Sequence, residues 1–114
     1  MTASRWPRFE FLDKRGRMHR FRSRWELAFA TALDATETLW DYEPDRLLLS
    51  TGQSYTPDFR IGNRYVEIKG WAGWTASIAK AYQAQRDGYD IELIVGREAF
   101  DAACEAASKK VFLT

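Results

Sequence analysis

One cysteine and one histidine in 114 residues remove several chemistries at once. Cys104 has no partner for a disulfide and no neighbour with zinc-ligand spacing, so it reads as a small packing residue of a late helix. His19 alone supports neither a His-rich metal site nor a Ser-His-Asp arrangement, which needs an imidazole beside its nucleophile. No apolar run approaches the roughly 18 residues of a membrane span. The basic start also lacks the apolar centre of a secretory signal. A hydrophobic content of 46% supports one core but not two. The expectation is a single soluble, intracellular domain with no membrane partner and no organic cofactor, in which carboxylates and lysine carry any catalysis.

Excess charge of either sign is also scarce, with a net of +1, but its distribution is uneven. Residues 1–24 hold eight basic and two acidic residues, a net of +6, whereas the remainder holds nine basic and fourteen acidic, a net of −5. A basic arm on an acidic body points to a polyanion held at one edge, and equally to a solvated strand pair.

Short runs around Asp13-Lys14-Arg15-Gly16 predict a basic β-hairpin over residues 1–22. Residues 23–114 follow as the main domain, forming one compact unit with this arm. Ser23-Arg24-Trp25-Glu26 has the form of a capping box, opening a helix from about Arg24 to Ala35 with an apolar face through Trp25, Phe29 and Leu33. Extended segments are expected at Trp40–Glu43, Arg46–Leu49, Tyr55–Ile61, Arg64–Lys69 and Ile91–Val95. Helices are expected at Thr75–Arg86 and Arg97–Lys110, and the last four residues read as a loose end or an added strand. The fold class is α/β.

Gly62-Asn63 suits a two-residue hairpin turn. Residues whose numbers sum to 125 then face each other, so Phe59 meets Val66 and Asp58 meets Glu67. Alternation puts Phe59, Ile61, Val66 and Ile68 on an apolar face, with Asp58, Arg60, Glu67 and Lys69 opposite. Facing carboxylates with Cβ atoms about 5 Å apart repel unless a cation or a shared proton compensates. A divalent metal beside a lysine is what phosphodiester hydrolysis requires, and Mg²⁺ suits oxygen ligands.

Tyr55-Thr56-Pro57-Asp58-Phe59, followed by Glu67-Ile68-Lys69-Gly70, resembles the PD-(D/E)XK motif of restriction-endonuclease-like nucleases. The likeness spans roughly residues 23–96 and is greatest to TnsA-type transposon nucleases and phage junction-resolving endonucleases. It implies an αβββαβ core and an Mg²⁺-dependent endodeoxyribonuclease, with Mn²⁺ able to substitute, in the cytoplasm of a bacterium or phage-infected cell. It also implies metal ligation by Asp58, Glu67 and the Ile68 carbonyl, a water-orienting or water-activating Lys69, and a Glu26 that binds a second ion or its water shell. Glu26 has a purely local reading as well, since a capping-box glutamate returns a hydrogen bond to the Ser23 backbone. For Asp58, Glu67 and Lys69 the plain alternative is a polar sheet face with an ion pair from Glu67 to Arg60.

Candidate DNA contacts are Arg15, Arg17, Arg20, Arg22, Arg24, Arg60 and Lys80, which fit backbone or structure selectivity better than base readout. Lys80 and Gln85 also fit a solvated helix face. Trp71 and Trp74 fit either core packing or stacking on bases, and His19 fits either phosphate contact or solvent. Glu37, Asp41 and Glu43 are left outside the site. A homodimer would add surface to so small a chain. The rival readings are an inactive or partner-dependent nuclease-fold DNA-binding subunit and a dimeric Holliday junction resolvase.

Overall fold

The first strands follow from simple alternation. In β1 (Phe9–Leu12) and β2 (Met18–Phe21), Phe9, Phe11, His19 and Phe21 turn inward, and Glu10, Leu12, Met18 and Arg20 turn outward. The strands pair antiparallel, with Phe9 opposite Phe21 and Leu12 opposite Met18. The connecting turn is built on Asp13, whose Oδ1 accepts the Arg15 and Arg17 backbone N–H groups at 2.8 and 2.9 Å. The computed structural model describes residues 8–70 and 75–109.

Ser23 then caps α1 (Arg24–Asp34) by accepting the Glu26 N–H at 3.1 Å. The reciprocal half of the capping box is displaced by one residue, because Glu26 Oε1 accepts from the Arg22 N–H at 2.9 Å. The helix stops one residue before the expected Ala35, which is its C-cap.

The central sheet has the order β3 (Asp41–Tyr42), β6 (Phe59–Ile61), β7 (Arg64–Lys69) and β8 (Ile91–Val95). The first three are antiparallel, whereas β7 and β8 run parallel. A parallel pair needs a crossover, and α2 (Ala76–Arg86) supplies it. A separate ribbon joins β4 (Leu47–Leu48) to β5 (Ser54–Tyr55), and α3 (Arg97–Ala107) closes the described chain.

Two apolar clusters occupy the two faces of the sheet. Phe21, Phe29, Leu33, Trp40, Phe59, Val66, Ile68 and Ile94 form one, under α1, α3 and the hairpin. Leu47, Leu49, Tyr55, Ala81, Ala84 and Ile91 form the other, under α2 and the ribbon. Phe59 is fully buried, with its ring 5.1 Å from Phe29 and 5.4 Å from Tyr42. Because strand neighbours point to opposite faces, anchoring Phe59 in the first cluster sends Asp58 to the other side. The result is an α/β domain with a radius of gyration of 14.4 Å.

Several boundaries differ from expectation. Tyr55–Ile61 is two strands in different sheets, broken at Thr56-Pro57-Asp58, because Pro57 has no N–H to continue a ladder. Strands expected at Trp40–Glu43 and Arg46–Leu49 shrink to two residues each, and α3 ends at Ala107 rather than Lys110. Trp71, Trp74 and residues 110–114 lie outside the described residues.

Candidate active site

The expected hairpin register is observed: Phe59 faces Val66, Arg60 faces Tyr65 and Ile61 faces Arg64. The ladder stops at Phe59, so Asp58 stands just beyond it rather than as a paired strand residue. Its Oδ2 accepts the Ile68 N–H at 2.8 Å, and its carbonyl accepts the Glu43 N–H at 2.8 Å. Tyr65 N–H bonds to Asp90, and Gly96 N–H to Lys69, so the odd-numbered residues of β7 bond to β8 and the even ones face β6. Continuing the register sets Pro57 against Ile68. Lacking an N–H, Pro57 leaves the Ile68 carbonyl without a ladder donor.

Glu26 from α1, Asp58 before β6, and Glu67 and Lys69 from β7 line one cavity of about 910 Å³. Arg22, Glu43, Tyr55, Ser77 and Lys80 complete much of its wall. The three carboxylates are buried, with residue exposures of 3–6%. Glu67 Oε1 accepts from the Tyr55 hydroxyl at 3.0 Å, and Glu26 Oε1 from the Tyr42 hydroxyl at 3.1 Å. Lys69 Nζ is 3.7 Å from Glu67 Oε2, an ion-pair distance too long for a hydrogen bond.

Three buried carboxylates around one close lysine are electrostatically undercompensated. Burial, then the charges of Glu67 and Glu26, push Asp58 well above the ordinary carboxylate range, against the Ile68 N–H and Lys69. Burial also raises Glu67, although the Tyr55 hydroxyl and Lys69 oppose it. The phenols of Tyr55 and Tyr42 are raised as well, first by burial and then by the adjoining glutamates.

Such a site invites a cation, and its donors are hard oxygens suited to Mg²⁺ or Mn²⁺. Among the described residues, no three Asp, Glu, His or Cys side chains converge to hold a metal. An ion would therefore rest on Asp58, Glu67 and the Ile68 carbonyl, completing its shell with water. Mg²⁺ commonly keeps several waters, so two carboxylates and a carbonyl without a ladder donor are a chemically adequate set.

The other sequence candidates separate. Arg22 and Lys80 line the cavity, Arg22 in an ion pair with Glu43. Arg60 turns away from Glu67 and pairs with Asp45 at 2.7 Å and Asp41 at 3.3 Å. Arg17 binds Asp13 at 2.9 Å and Asp41 at 2.6 Å, and Arg15 pairs with Asp41 at 3.7 Å. Arg20 reaches Glu10 at 3.2 Å, and Arg24 lies over the Phe9 ring. Much of the arm's charge is thus compensated within the fold. His19 does not face solvent: it stacks on Phe21 and sets Nε2 2.7 Å from the Asp13 carboxylate. Gln85 donates to the Ile91 carbonyl at 2.9 Å.

Glu43 had been set aside, yet it lines the cavity with φ +48°, the only positive φ of a non-glycine residue among those described. Such left-handed backbone is strained for a glutamate and is often found at functional sites. Its place before Pro44 gives no hint of this, since a residue preceding proline favours extended backbone with negative φ. Tyr42 and Tyr55 were also missed. Their glutamate partners lie 16 and 12 residues away, beyond any local pattern. No family model, curated protein or solved structure matches this chain.

Proposed function

We propose that the chain is a DNA endonuclease of the PD-(D/E)XK kind, with a restriction-endonuclease-like core, that hydrolyses phosphodiesters with Mg²⁺ or Mn²⁺. One observation carries the reading: Glu26 from α1, Asp58 from before β6, and Glu67 and Lys69 from β7 share one cavity in which the buried carboxylates are undercompensated. Asp58, Glu67 and the Ile68 carbonyl would hold the ion, with Glu26 binding its water shell or a second ion. When bound, Mg²⁺ would acidify a water molecule and offset the charge of a phosphoryl oxygen. The Lys69 ammonium is suited to orienting water and to meeting negative charge as it grows at phosphorus. Arg22 and Lys80 are suited to flanking phosphates, which favours backbone selectivity over base readout.

Nicking of supercoiled DNA tests this reading. Glu67→Ala and Lys69→Ala should each lower the Mg²⁺-dependent rate by on the order of 10³-fold while unfolding cooperatively. Undiminished cleavage by either purified variant would contradict the assignment. Four-way junctions and linear duplexes at equal concentration would separate a dimeric Holliday junction resolvase from a less selective endonuclease.

A DNA-binding subunit that is inactive or cleaves only with a partner is the second reading. The lack of a three-carboxylate cage among the described residues favours it. Purified protein that binds DNA but cleaves with neither Mg²⁺ nor Mn²⁺ would select it.

A further inference from the structure

We propose that Tyr42 and Tyr55 are positioning residues, each holding the inner oxygen of one site glutamate so that the outer oxygen faces the cavity. The identity of the ligand, a divalent cation, rests on the nuclease reading; the placement of the phenols does not.

Each carboxylate commits one oxygen to an uncharged donor. Tyr42 holds Glu26 Oε1, Tyr55 holds Glu67 Oε1, and the Ile68 N–H holds Asp58 Oδ2. Glu26 Oε1 also accepts the Arg22 N–H. The opposite oxygens have different surroundings. Glu67 Oε2 looks toward Lys69, while Glu26 Oε2 and Asp58 Oδ1 make no hydrogen bond within the described residues. No buried side-chain oxygen among the described residues is left without a partner, and both residues line the cavity. Uncharged donors orient a carboxylate without cancelling its charge, as a site for a cation requires. Arginine in either place would neutralise the site it held.

The phenols are fixed from opposite faces of the sheet. The Tyr42 ring packs edge-on against Phe21 at 4.7 Å and beside Phe59 at 5.4 Å, in the first cluster. Tyr55 is 4% exposed and belongs to the second, with Leu47, Leu49 and Ala81. Each core thus reaches into the site through one hydroxyl. Each glutamate also has a backbone donor, Arg22 N–H for Glu26 and Asp58 N–H for Glu67, but Glu67 would ligate the ion itself whereas Glu26 would face its water shell, so Tyr55 matters more.

The test uses Tyr55→Phe and Tyr42→Phe, which keep the rings, with Leu47→Ala as a packing control from the same cluster as Tyr55. Mn²⁺ is titrated calorimetrically without DNA, thermal unfolding is followed without metal, and nicking is measured as Mg²⁺ is varied. Tyr55→Phe should weaken Mn²⁺ binding about tenfold and Tyr42→Phe less. The Mg²⁺ needed for half-maximal nicking should rise in step, with KM for DNA unchanged. Leu47→Ala should lower the melting temperature and leave Mn²⁺ affinity intact. Wild-type affinity in both phenylalanine variants, or an equal loss in Leu47→Ala, would overturn the positioning role and leave the nuclease reading standing. Wild-type protein that binds no Mn²⁺ would overturn both.

Discussion

Two regions of this molecule bury carboxylates, and they treat the charge in opposite ways. The Asp13 side chain is fully enclosed in the hairpin turn, where it receives two backbone N–H groups, the Arg17 guanidinium and the His19 imidazole. Its burial opposes ionisation, but the bonds from His19 and Arg17 outweigh that and hold its pKa below the ordinary range. Asp58 and Glu67 are about as deeply buried, yet receive only uncharged hydrogen-bond donors, the Ile68 N–H for Asp58 and the Tyr55 hydroxyl and Asp58 N–H for Glu67, and share Lys69, and their pKa values rise. Burial alone therefore does not mark a functional carboxylate. Burial without compensation is what sets the proposed site apart, because a structural role gives no reason to retain the repulsion.

The strongest test of the contrast is a matched pair of substitutions. Asp13→Asn should cost about 3 kcal/mol, because it leaves buried donors facing a neutral amide. Asp58→Asn should leave stability at or above wild type, since its amide oxygen can still accept the Ile68 N–H while the repulsion from Glu67 disappears. Urea denaturation measures both. Equal losses would erase the distinction between the regions.

The dependence on pH should also run in opposite directions. The lowered pKa of Asp13 gives stability that is complete above its ordinary value of 3.8 and is lost as pH falls through the folded value. The raised values of Asp58 and Glu67 give stability present below their ordinary 3.8 and 4.5 and lost as pH rises through the folded values. In cation-free buffer, stability should fall as pH rises above these ordinary values, and Asp58→Asn should flatten that fall. A profile identical in wild type and variant would detach Asp58 from the effect.

The smallest effect concerns the basic arm. Because Arg15 and Arg17 pair with Asp41, whereas Arg20 is 68% exposed, Arg20→Ala and Arg24→Ala should each reduce the salt slope of DNA binding by about one. Arg17→Ala should act mainly through hairpin stability. An unchanged slope in the first two variants would leave the arm as a structural element only.

The comparison also accounts for what was legible in the sequence. The Gly62-Asn63 turn and the alternation from Phe59 to Ile68 specify a register, because turn length and hydrophobic pattern agree, and that register is observed. Pro57 in the motif signals a broken ladder, although reading one continuous strand from Tyr55 overlooked it. The Asp13 network was accessible in principle, since an aspartate opening a turn commonly accepts the N–H two residues on. The ion pairs of Arg15 and Arg17 with Asp41 and the two tyrosine–glutamate bonds were not legible. They join residues far apart in the chain, and only packing around Phe59 and Tyr55 brings them together.

Crystals soaked in Mn²⁺ test the central claim most directly, because anomalous scattering locates the ion without reference to activity. The account predicts a peak about 2.1 Å from Asp58, Glu67 and the Ile68 carbonyl oxygen, with Glu26 facing its water shell. A fully soaked crystal with no peak in this cavity, or with its strongest peak elsewhere, would contradict it.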